Sequence, residues 1–173
     1  ASIISGVPFT QTIHGPGIFF SAHRWGLGQK IERSAFTACI SDFCRSQCMI
    51  FCSHEHWNRL RIIRCGVDER FTDESPAPPS EAPRLVCVGR LCEAKGQALL
   101  VEAAARLRDR GVGCEVRFVG DGPLRKTLEQ RIGDLGVEDC VTILGWRSGE
   151  QVRDELRDAR LFVLPSFAEG LPV

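Results

Sequence analysis

None of this chain's apolar runs approaches the ~20 residues that a membrane-spanning helix needs. The opening residues, "ASIISGVPFTQTIHG", have neither the basic start nor the long apolar centre of a secretion signal. Net charge is missing too, with 22 Lys and Arg set against 22 Asp and Glu. Residues 1–71 hold 8 basic against 5 acidic side chains and the remainder 14 against 17, which gives no basic face for nucleic acid. No two aspartates lie two apart, so the D-x-D device that holds a divalent ion against a nucleotide diphosphate is absent. Neither the G-x-x-x-x-G-K-[ST] phosphate loop nor a G-x-S-x-G nucleophile elbow occurs. These absences count against metal-bridged phosphoryl transfer, serine hydrolysis and nucleic-acid binding. A cytoplasmic protein is the expectation.

What is present is a chain of 173 residues with ordinary apolar and charged fractions, enough for one good core or two small ones. Nine cysteines are many, and five of them precede residue 70. Cys44, Cys48 and Cys52 recur every fourth residue, a single stripe if the segment is helical, with His54 and His56 just beyond. The outer two thiols of such a stripe stand two turns apart, roughly 11–12 Å, too far for one ion. No metal site is therefore expected, and the thiols read as the buried face of a helix.

The stretch "TDESPAPPSEAP", residues 72–83, is rich in proline, serine and acid and reads as a linker between residues 1–71 and 84–173. Before it, strand-like "PFTQTIHG", "AFTACIS" and "RLRIIRCGVD" alternate with an amphipathic "GLGQKIERS" and a helix opened by Ser41 and Asp42. After it, strands "RLVCVG", "CEVRFVG", "CVTILG" and "LFVLP" alternate with helices at Gln97 to Arg110, "PLRKTLEQRIGDLG" and "SGEQVRDELRDA". Leu99, Leu100, Ala103, Ala104 and Leu107 are the expected apolar side of the first of these. Near-continuous apolar strands in a βαβ order predict parallel sheets covered on both faces, in two doubly wound α/β halves.

In such sheets ligands bind beyond the carboxyl ends of the strands. Those ends carry Gly89-Arg90, Gly120-Asp121-Gly122, Gly145-Trp146 and the run from Pro165 to Glu169. Arg90 leaves a strand and Lys95 stands where the next helix begins, so two cations and a helix N-terminus favour an anion the size of a diphosphate. Two solvated surface cations would have the same spacing. The loop "FVGDGPL" has only part of a glycine-rich phosphate loop, and Asp121 would repel phosphate unless it faces elsewhere, so a tight turn fits it better. Glu169, between alanine and glycine in "SFAEGLPV", can accept hydrogen bonds from ligand hydroxyls, with the amides of Gly170 and Leu171 as added donors; a solvated loop acid is the alternative. His14, ending a strand ahead of "GPG", either faces a cleft or simply terminates its strand.

Taken together and in this order, "VGRLCEAKG" (pattern G-R-x-x-x-x-K-G), "FVGDGPLRKTLE", "VTILGW" and "LFVLPSFAEGLPV" resemble glycosyltransferase family 4. These are retaining enzymes of the GT-B fold, with two Rossmann-like domains. The stretch from "TIHGPGIFF" to "RLRIIRCGVD" resembles the end of the N-terminal domain in exopolysaccharide and colanic-acid-type members. The resemblance implies that residues 1–71 and 84–173 are parts of those two domains, both incomplete. It implies a nucleotide-sugar donor, UDP- or GDP-linked, a glycan or lipid-linked acceptor, no separate cofactor or metal, and a peripheral association of the full-length protein with the cytoplasmic face of the inner membrane.

By the same resemblance Arg90 and Lys95 hold the donor diphosphate, with Gly89 and Gly120 beside it. Leu144 and Gly145 lie near the base, Glu169, Gly170 and Leu171 hold the transferred sugar, and His14 reaches the sugar or phosphate from the other domain. The second glutamate of the family's E-x7-E motif falls beyond Val173, so an inactive internal fragment of a longer hexosyltransferase-type enzyme is the expectation. A non-catalytic nucleotide-sugar-binding module stays open, and an epimerase of similar fold lacks identifiable acid and base groups.

Overall fold

The computed structural model describes residues 5–67, 69–71 and 78–170. The chain forms two compact units, one reaching to Glu69 and taking in Glu169 and Gly170, the other running from Arg70 to Ala168.

In the first unit β1 (Thr10–Ile13), β2 (Phe36–Cys39) and β3 (Leu60–Ile62) make a parallel sheet in that order, Ile13 opposite Cys39 and Cys39 opposite Ile62. Helix α1 (Leu27–Arg33) connects the first two strands and α2 (Asp42–Ile50) follows the second. Ser41 starts α2 as the sequence predicts, its hydroxyl accepting from the Cys44 amide at 3.2 Å. Leu27 and Ile31 of α1, Cys44 and Cys48 of α2, and Ile13, Cys39, Ile40 and Leu60 make the core.

The second unit has β4 (Arg84–Val88), β5 (Glu115–Val119), β6 (Val141–Gly145) and β7 (Leu161–Phe162), all parallel, in the order β6-β5-β4-β7. Helices α3 (Gln97–Asp109) and α4 (Arg125–Leu135) bury Leu100, Val101, Leu128 and Ile132 against Val116 and Phe118 on one face. Helix α5 (Gly149–Arg157), opened by a reciprocal Ser148–Gln151 capping box, puts Val152 and Leu156 against Val86 and Val119 on the other. This is the doubly wound parallel arrangement, with a topological switch point where β7 joins β4 from the far side.

Two readings need correction. Helix α3 turns Gln97, Leu100, Val101, Ala104 and Ala105 inward, whereas Leu99 is half exposed and Ala103 exposed. The true stripe follows i, i+3, i+4, i+7 from Gln97, a polar residue that apolar counting passes over. Strand β7 is two residues long, and both are exposed at the sheet edge. Glu169 and Gly170 group with the first unit, where Ser41 Oγ donates to the Gly170 carbonyl at 3.0 Å.

Residues 72–77 of the proline-rich stretch lie outside the described residues, and 78–83 carry neither helix nor strand.

Candidate functional site

The ends of four strands converge because backbone bonds tie their loops together. After β4, the Gly89 amide donates to the Val119 carbonyl at 2.9 Å and the Leu91 amide to Asp121 at 3.1 Å. The Gly120 amide in turn bonds the Gly145 carbonyl at 2.9 Å, and the Phe167 amide after β7 bonds Ala94 at 2.9 Å. Side chains would not fit here. A Cβ on Gly120 would collide with the Gly89 carbonyl, one on Gly122 with Leu91 and one on Gly96 with Pro165. The "GDG" run is therefore a seat for the neighbouring loop, which agrees with its reading as a tight turn.

Asp121 is exposed, and its carboxylate is already engaged by its neighbours. One of its oxygens accepts from its neighbour, the Gly122 amide, at 2.7 Å and the other pairs with Arg125 at 2.9 Å, and these contacts, the amide first, lower its pKa. A carboxylate so engaged is an internal brace.

Above these loops lies a cavity of about 340 Å³ lined by Val88, Gly89, Arg90, Val119, Gly120, Asp121, Trp146, Arg147 and Val152. Arg90 is exposed at its edge and Trp146 is 83% exposed. A Cβ on Gly89 would meet nothing within 4 Å, so at this position bare backbone does face open space. The backbone of Arg90 is held from beneath, its carbonyl accepting from Gln97 Nε2 at 2.9 Å. Gln97 is 1% exposed, and its Oε1 has no hydrogen-bond partner.

Lys95 closes a 3-10 turn, Glu93–Lys95, just ahead of α3, and is half buried. Gly96 follows at φ 64°, caps α3 without a side chain and leaves the helix N-terminus to other acceptors. At the switch point itself, Ser166 Oγ is buried without a partner.

The other predicted residues fall as follows. Leu144 is the extra residue of a β-bulge, since Phe118 faces Ile143 while Val119 faces Gly145. Its side chain packs against the cluster of Val86, Val119 and Ala159. Gly145, at φ 74°, re-aims the chain toward Trp146. In the first unit His14 is exposed, with Nδ1 at 3.9 Å from Cys65 Sγ. Its carbonyl stands where a Cβ of Gly170 would be, so these two predicted positions meet within one unit. Glu169 is half buried, and Leu171 lies outside the described residues.

Sequence reasoning missed Gln97 and Arg147 as parts of this site, and named Trp146 at a strand end without giving it a role. A buried amide opening an apolar helix face was the available signal for Gln97.

It also missed a grouping of thiols. Cys52 is not part of it; its Sγ bonds the Cys48 carbonyl at 3.5 Å. Cys39 at the end of β2 joins Cys44 and Cys48 instead, and the three sulfurs lie within 4.8 Å of one another.

Comparison with known proteins agrees with this architecture. The sequence model of the Glycosyl transferases group 1 family matches residues 82–173. A Salmonella typhimurium glycosyltransferase whose name assigns it to colanic acid biosynthesis is 34% identical over 122 residues, covering 66% of this chain and 30% of its own. A Bacillus subtilis glycosyltransferase assigned by name to teichuronic acid biosynthesis is 42% identical over 184 residues, covering 96% and 43%. This chain thus spans about a third to under a half of the length of these relatives. Among solved structures, TarM of S. aureus, crystallised with fondaparinux, alpha-GlcNAc-glycerol and UDP, superposes with a TM-score of 0.80 at 17% identity, covering 97% of this chain and 34% of its own. The parallel sheets, their order and this likeness identify the GT-B fold, and the chain belongs to the Glycosyl transferases group 1 family.

Proposed function

We propose that the protein containing this chain is a retaining glycosyltransferase that moves a hexose from a UDP- or GDP-linked donor to a glycan or lipid-linked acceptor during synthesis of a bacterial surface polysaccharide. The observation that carries this reading is the loop after β4, at the switch point of a Rossmann-like sheet. Gly89 and Arg90 line a cavity there, and Lys95 closes the turn just before the N-terminus of α3, which no side chain caps.

In this role Arg90 and Lys95 bind the diphosphate and offset the charge that grows on it as the sugar departs. Fixed side-chain cations then serve where a divalent ion would otherwise be needed. Trp146 offers an exposed ring to the nucleotide side of the cavity. Glu169, the amides of Gly170 and Leu171, and His14 are the groups we assign to the sugar hydroxyls. Retention follows if the acceptor attacks the face that the diphosphate leaves, with a phosphate oxygen taking the acceptor's proton. This segment alone lacks the second acid of the E-x7-E pattern, and we expect no turnover from it. Among the described residues no helix is long and apolar enough to cross a membrane, and we place the full protein peripherally at the cytoplasmic face.

The test is donor turnover by the full-length protein. Arg90→Ala and Lys95→Ala should each lower it by about a hundredfold or more, the worth of one preorganised charge contact, and chelation by EDTA should leave it intact. Unchanged kinetics in both variants would remove them from the site. Tight donor binding with neither transfer nor hydrolysis would establish a binding module instead.

A further inference from the structure

Cys39 ends β2, and only Ile40 and Ser41 separate it from α2. The Ser41 cap fixes the first turn of that helix, and Cys44 and Cys48, one turn apart, fall on its inner side. Three thiols from two elements therefore meet in the core of the first unit, at 0%, 2% and 0% exposure. Their sulfurs all lie within 4.8 Å of one another, and Cys39 and Cys48 stand 3.9 Å apart. We propose that Cys39, Cys44 and Cys48 are the ligands of a single soft, thiophilic metal ion, copper(I) by its coordination chemistry.

The spacing suits such an ion. Metal–sulfur bonds of about 2.3 Å in a trigonal plane set each pair of sulfurs about 4 Å apart. The Cys39–Cys48 pair already has that separation, and the others close to it with shifts below about 1 Å. Core cysteines that merely fill space have no need to touch one another. Here each sulfur has the other two as neighbours, although Ile13, Ile31 and Leu60 share the same core.

The donor set selects the ion. Among the described residues no fourth histidine, cysteine or carboxylate joins the group, and burial keeps water out. A structural zinc site takes four ligands, and calcium or magnesium takes oxygens. Copper(I) is soft and accepts sulfur alone. Each metal–sulfur bond replaces a sulfur–hydrogen bond, and the displaced protons pass to solvent, with no change in the oxidation state of sulfur or copper. Arg45, next to Cys44 and half buried, has a buried Nε without a hydrogen-bond partner, a cation available to offset the charge that the site acquires.

The experiment is an anaerobic titration of the 173-residue chain with copper(I) buffered by a chromogenic chelator, followed by X-ray absorption of the loaded wild-type chain. One tight equivalent and a shell of three sulfurs are expected. Cys48→Ser should weaken binding by about a hundredfold or more, while Cys65→Ser and Cys87→Ser, at an exposed thiol and at one in the second unit, should leave it unchanged. Nitrogen or oxygen in the metal shell, or fewer than three sulfurs, would overturn the assignment, and this readout needs no variant to fold. Loss of binding in Cys65→Ser, or tighter binding of zinc than of copper(I), would do the same.

Discussion

The side-chain amide of Gln97 holds the main-chain carbonyl of Arg90 at 2.9 Å from a position that is 1% exposed. The bond runs from the first residue of α3 back to the loop that carries the proposed diphosphate cation. It fixes where that loop sits while leaving the Arg90 side chain free to project from its edge.

Replacing Gln97 by methionine should separate position from stability. The lost hydrogen bond costs about 1 kcal/mol, but the substitution also removes an unpartnered buried oxygen, so the net change in unfolding free energy should stay within about 1 kcal/mol. Donor turnover by the full-length protein should nevertheless fall by about tenfold. Equal turnover in Gln97→Met and wild type would deny the loop-positioning role.

Gly122→Ala tests the contact between loops. The new methyl would collide with the Leu91 carbonyl, a backbone atom that cannot swing aside. A loss of about 1–3 kcal/mol is expected in urea unfolding. Gly113→Ala, where nothing lies within 4 Å of the added carbon, is the control and should change stability far less. Equal effects at the two sites would refute the collision.

Acid should weaken the second unit through Glu115. Burial by itself would raise this carboxyl, but its bonds to Arg84 at 2.8 Å and Arg117 at 2.6 Å outweigh that and lower its pKa. A lowered folded-state value means stability that is present above the ordinary value of 4.5 and lost as pH falls below it. Wild type should therefore lose more stability between pH 6 and pH 3, about the range of carboxylate titration, than Glu115→Gln does. Parallel pH profiles for the two proteins would count against the linkage.

Alkylation should separate the thiols by unit and depth. Cys65 is exposed and should react first with iodoacetamide. Cys87 is buried at 1% exposure, and burial pushes its thiol up to about 11, so it should label only after unfolding. Intact-mass time courses in buffer and in denaturant would show the order. Labelling of Cys87 at the pace of Cys65 in buffer would contradict the burial.

Much of this was legible in the sequence because parallel sheets write themselves as apolar runs ending in glycine. Strands β4, β5 and β6 fall where "RLVCVG", "CEVRFVG" and "CVTILG" place them, and Ser41 caps its helix as read. What escaped depended on contacts between different elements, which no single helix or strand period displays. The inward stripe of α3 starts from Gln97, whose burial makes sense only once the Arg90 carbonyl is beside it. Leu144 lies on an apolar strand, but the bulge there appears only when β6 is paired with β5. Cys39 could not join Cys44 and Cys48 on a helical wheel, because it belongs to a strand.

The contact of Gly120 and Gly122 with Gly89 and Leu91 has a consequence for how relatives of this fold can diverge. A side chain at Gly120 or Gly122 would displace the facing backbone of Gly89 or Leu91, so the two loops form a fixed floor. New ligand preferences then have to arise at the rim, where Trp146 and Arg147 project from a loop whose aim is set by a bulge. The floor of the cavity is locked at Gly120 and Gly122, and its rim is left open to change.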